Sequence, residues 1–164
     1  MKRILLTCLI AAISTAVALY AATRPMEPEE AVRRVLEADH REKGSAQRCR
    51  EAVDDLVRVG PEALPVALGA MPDVIDMDDL IKVDWLRSAC DRIVKRAVTA
   101  DEPLPTEALL FIARNKRNSD TSRVEAYKIL RFVRPELVDR GKNRWLDDPV
   151  FAPDVFEDPE GDGV

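Results

Sequence analysis

The chain has 164 residues, with 25 Lys and Arg against 30 Asp and Glu, a formal net charge of −5. Without a basic excess there is nothing to neutralise phosphates, so nucleic acid is not an expected partner. A single histidine, His40, and three cysteines leave little material for acid–base or metal chemistry.

The chain opens with Lys2 and Arg3, followed by an uncharged run over residues 4–22 that only Thr7, Ser14 and Thr15 interrupt. That composition is an export signal. Ala16 and Ala18 supply an A-x-A cleavage pattern, while 19 residues at about 1.5 Å each nearly span a bilayer of roughly 30 Å. Residues 1–23 are therefore a signal peptide or a membrane anchor. The flanking charges place the domain outside the cytoplasmic membrane on either reading, in the periplasm or beyond. A lipoprotein signal at Leu5, Leu6, Thr7 and Cys8 does not fit, because Thr7 is too large and the preceding apolar run too short. Contact with a membrane is expected only if this first segment stays uncleaved.

The domain is expected over residues 24–146. Apolar spacing predicts helices over residues 29–43, ended by Gly44, and 46–59, with Ser45 as N-cap and Gly60 as stop. A third starts at Pro61, whose fixed φ suits a first helical position, and runs to 71. The fourth, over 80–98, is the longest, with Trp85, Leu86, Ala89, Cys90, Ile93, Val94 and Ala97 as a buried stripe. After a link containing Pro103 and Pro105 come helices over 106–115 and 120–133, and a seventh from Pro135 that fades near Trp145. Residues 147–164 carry seven acidic residues, no Lys or Arg, and interleaved Pro and Gly, the composition of a flexible acidic tail.

One pattern recurs. Seven of eighteen positions are identical between residues 45–62 and 119–136: Ser45 with Ser119, Glu51 with Glu125, Ala52 with Ala126, Leu56 with Leu130, Val59 with Val133, Pro61 with Pro135 and Glu62 with Glu136. Half that offset, 37 residues, reaches a fainter copy in Ala89, Asp91, Ile93 and Val94. A small residue followed one turn later by a large aliphatic is a packing pattern, and a helical period in the thirties reads as stacked helix pairs. The segment from Arg50 to Leu56 followed by Gly60, Pro61, Glu62, Ala63, Leu64 and Pro65 resembles the HEAT-repeat family. The stretch from Trp85 to Asp91 and on to Leu104 and Pro105 resembles exported bacterial HEAT-like proteins of unknown activity. The resemblance covers residues 45–145 and implies an all-α, short right-handed α-solenoid of about three helix pairs. It departs where Arg134 stands in place of Gly60 and where the link around Pro103 lengthens.

Candidate sites follow. Cys49 and Cys90 form a disulfide in an oxidising compartment or fill apolar helix stripes as thiols. The aspartates Asp73, Asp76, Asp78 and Asp79, with Asp84 nearby, could hold a hard cation, although neither register supplies the glycine and glutamate of an EF-hand loop; their alternative role is to cap the fourth helix. His40, beside Glu37, Asp39, Arg41 and Glu42, is a helix-end residue with no nucleophile in sight. No cofactor is implied. The face carrying Glu62, Leu64, Val66, Glu107 and Leu110 is the expected contact surface for another protein. The expected function is an exported, non-enzymatic interaction module; a membrane-tethered accessory subunit and a weak hydrolase or calcium binder are the alternatives.

Overall fold

A computed structural model describes residues 26–152, apart from His40, Gly141 and the Arg144 side chain. The described residues are all-α: six α-helices and four short 3-10 segments, with no strand among them. The helices are α1 (Pro28–Leu36), α2 (Ser45–Val59), α3 (Leu64–Gly69), α4 (Met77–Ala100), α5 (Thr106–Arg114) and α6 (Asp120–Val133). No helix among the described residues is long and apolar enough to cross a membrane. Residues 1–23, the expected signal or anchor, lie outside the described residues, as does His40.

Each element has a local cause. Helix α1 has Pro28 in its first turn and buries Ala31, Val32 and Val35. It stops at Leu36 rather than Lys43; Ala38 is still buried, but beyond it the Arg41 amide donates to the Asp39 carboxylate instead of continuing the helix. Gly44, at φ 88°, therefore opens α2 rather than closing α1, and Ser45 sits buried in the first turn of α2 without capping it. After Gly60 the chain makes a 3-10 turn at Pro61–Ala63 before α3. Helix α4 starts three residues earlier than expected because Asp76 caps it, accepting the Asp78 and Asp79 amides at 2.9 and 3.0 Å. Ser119 caps α6, accepting the Ser122 amide at 3.0 Å, and donates to the Met71 carbonyl at 2.6 Å.

The core joins α1 to α6 in one cluster, with Leu56, Leu64, Leu68, Leu86, Ile93, Leu109 and Leu130 all fully buried. Helices α5 and α6, α1 and α2, and α2 and α4 are closely packed pairs, and the short α3 touches α1, α4, α5 and α6. Three polar contacts tie helices at nearly one period: Arg92 to Asp54 across 38 residues at 2.7 Å, Arg96 to the Val57 carbonyl across 39, and Arg87 to Glu125 across 38 at 3.1 Å. Gly60, at φ 91°, makes the second possible, since a Cβ there would lie 2.5 Å from the Arg96 guanidinium.

The C-terminal stretch differs most from expectation. No seventh α-helix forms after Pro135; the chain makes 3-10 turns at Pro135–Val138, Arg144–Asp147 and Pro149–Phe151. Residues 147–152 do not belong to a tail. Phe151 is fully buried, 5.2 Å from both the Tyr127 and Trp145 rings, with the Arg123 guanidinium over its face. Asp148 binds Arg123 at 2.8 Å and Lys116 at 2.9 Å. Arg140 closes this strap by donating to the Leu146 and Phe151 carbonyls. Only residues 153–164 remain of the expected tail, and they lie outside the described residues.

Candidate binding groove

Among the described residues, a groove of about 400 Å³ runs between the C-terminal half of α4 and α6. Val94, Val98, Ile129 and Phe132 supply its apolar surface; Asp91, Glu125, Lys95 and Lys128 supply its charge. On α4 and on α6 the residues follow one order: acid first (Asp91, Glu125), lysine next (Lys95, Lys128), apolar last (Val98, Phe132). Val98 and Phe132 are 50% and 70% exposed, which leaves a phenylalanine ring and a branched aliphatic in water at the mouth.

The charged side chains differ in how far they are committed. Glu125, nearly buried, accepts from Arg87 Nε and from Lys128 Nζ, each at 3.1 Å. Lys95 makes no ion pair among the described residues. Burial and the neighbouring Glu125 charge push the Asp91 carboxyl above its ordinary value, against the pull of Arg87 and Lys128. The groove's one hydroxyl, on Thr99, donates to the Lys95 carbonyl at 2.7 Å and is occupied there.

The expected contact residues lie elsewhere and do not form one face. Leu64 is fully buried, and Leu110, 7% exposed, shows only an edge, beside Glu107. They are core residues because the inward stripes of α3 and α5 pass through them. Glu62 and Val66 line a hollow with Met26, Pro28 and Arg58, whereas Glu107 and Leu110 line another with Phe111 and Arg114. Sequence reasoning missed Val98, Lys95, Lys128 and Phe132. The available signal was an apolar residue off the buried stripe on an otherwise charged helix face.

The acidic cluster before α4 is engaged with its own chain. Asp73 accepts the Asp120 amide at 2.8 Å, Asp76 caps α4, Asp79 accepts the Ile75 amide at 3.3 Å, and Asp78 pairs with Lys82. No group of three or more potential metal ligands is assembled among the described residues.

Cys49 and Cys90 are both buried free thiols, so the disulfide alternative is corrected: each fills its helix stripe. Burial pushes both thiols above their ordinary value, Cys90 far above it. A thiol reagent at neutral pH should leave both unlabelled in the folded protein and label both in denaturant, as read by mass mapping; rapid native labelling of either would contradict their packing.

No protein family, characterised protein or solved structure matches the chain. The groove must be read from its own chemistry.

Proposed function

We propose that the chain is an exported, non-enzymatic helical-repeat module that grips a second protein chain through the α4–α6 groove. The observation that carries this reading is the exposed apolar pair Val98 and Phe132 at the mouth of a groove with an apolar floor and both acids and lysines at its edge. Large exposed aromatics in a concave apolar setting are the usual anchors of protein interfaces. Catalysis is disfavoured by the same chemistry: the groove's hydroxyl is bonded to backbone, and the nearby Cys90 thiol is buried.

The repeat arrangement is supported by the contacts at 38 and 39 residues, which link α2 to α4 and α4 to α6 at separations close to the 37-residue recurrence. Export is supported by the uncharged run over residues 4–22. A retained first segment would instead tether an accessory subunit; the intact mass of the protein from cells separates the two.

Capture from a cell-envelope extract tests the reading. The wild-type chain should retain a specific protein, and Phe132→Asp should reduce that retention about tenfold or more while leaving the helical circular dichroism unchanged. Capture of nothing above background, or equal capture by Phe132→Asp, would sink it.

A further inference from the structure

The turn before α4 holds apolar side chains in water on a braced frame. Within four residues, Val74, Ile75 and Met77 are 45%, 88% and 68% exposed. Around them the aspartates fix the backbone: Asp73 anchors it to the start of α6, Asp79 holds the Ile75 amide, and Asp76 caps α4. A turn already fixed loses little further freedom on binding, so its apolar surface can act as a plug. Its local charge is acidic, with Asp73, Asp76, Asp78 and Asp79 against Lys82.

At the other end of α4, about 30 Å along the helix, lies the complementary surface. The groove is apolar at its mouth, where Val98 and Phe132 are exposed, and beside it its two acids, Asp91 and Glu125, balance its two lysines; Lys128 is held by Glu125, which leaves Lys95 as the exposed cation with no ion pair among the described residues. An acidic turn tipped by Ile75 meets both requirements at once: the apolar tip covers the exposed ring, and the aspartates lie near Lys95. We infer that the Asp73–Asp79 turn of one copy of this chain seats in the α4–α6 groove of a second copy, Ile75 against Val98 and Phe132. This rests on the groove being a docking surface, as proposed above, and names its occupant. Because plug and groove are different surfaces at opposite ends of one helix, the contact is heterologous. It propagates head to tail until it closes into a ring or continues as a chain.

Light scattering on the purified full chain across a concentration series tests this. The wild-type mass should rise with concentration. Ile75→Asp and Phe132→Asp should each shift association to concentrations about tenfold higher or more, and Lys95→Glu should shift it in the same direction. All three positions are exposed, so each variant should keep wild-type circular dichroism and melting. An equimolar mixture of Ile75→Asp and Phe132→Asp retains one good groove and one good plug, and should form a species that stops at two chains. A wild-type mass that stays at one chain up to millimolar concentration would overturn the inference, as would Ile75→Asp associating like wild type or a mixture of folded variants that does not pair. Binding of the wild type to phosphatidylcholine vesicles, lost in Ile75→Asp while the mass stays at one chain, would assign the turn to a bilayer and equally overturn it. A monomeric wild type whose envelope capture still depends on Phe132 would end this inference and leave the groove's docking role standing. Phe132→Asp that changes neither association nor capture would end both.

Discussion

Phe151→Ala should lower stability by about 3–5 kcal/mol, the cost of emptying a fully buried aromatic site whose surroundings relax only in part. Phe151 touches rings from two other elements, Tyr127 on α6 and Trp145 in the preceding 3-10 turn, and carries Arg123 over its face. Its loss therefore leaves a cavity and also uncovers α6. A domain's whole margin is about 5–15 kcal/mol, so the variant should sit near the edge of folding. In urea the midpoint should fall by roughly 2 M for an ordinary dependence on denaturant. A shift within the scatter of surface substitutions would show that the strap does not cover α6 in solution.

Asp148→Ala should cost about 2–3 kcal/mol, because it strands a buried guanidinium. Arg123 is 4% exposed; it donates to Asp148 at 2.8 Å, to Asp120 at 3.0 Å and to the Ala113 carbonyl at 3.2 Å. Removing Asp148 leaves only the exposed Asp120 to balance that charge. The pair also gives stability a pH dependence. Hydrogen bonds from Lys116 and then Arg123 hold the Asp148 carboxyl far below its usual range. The folded state therefore binds that proton less readily than the unfolded chain. The resulting stabilisation is fully present above the unfolded value of about 3.9 and fades as pH falls from there towards the depressed folded value. Urea midpoints taken between pH 6 and pH 3 should fall more steeply for the wild type than for Asp148→Ala. Parallel pH profiles would mean that Asp148 contributes no titrating stabilisation.

The all-α class was legible in the sequence because apolar spacing of 3.6 and a scarcity of strand formers recur in every segment. Leu56, Ile93 and Leu130, one period apart, occupy the core as their pattern required. Boundaries were less legible where one side chain decides them. Asp76 moves the start of α4 back to Met77, although Met77 itself is exposed and adds nothing to the stripe. The strap was illegible because its local composition is acidic and Pro-rich, while Phe151 is fixed by Tyr127 and Arg123 more than twenty residues earlier. The groove was hidden for a related reason. Val98 and Phe132 are unremarkable each on its own helix, and become one surface only when α4 and α6 flank the same groove with Arg87 bonded to Glu125.

The strap also decides what α6 can present on one of its sides. Tyr127 and Arg123, on the side of α6 that faces the C-terminal strap, are occupied by Phe151, Trp145 and Asp148. Another helix could pack against that side only by expelling Phe151 and exposing the Arg123 charge. The six residues from Asp147 to Ala152 thus seal that side of α6, which no other element can use while they stay in place.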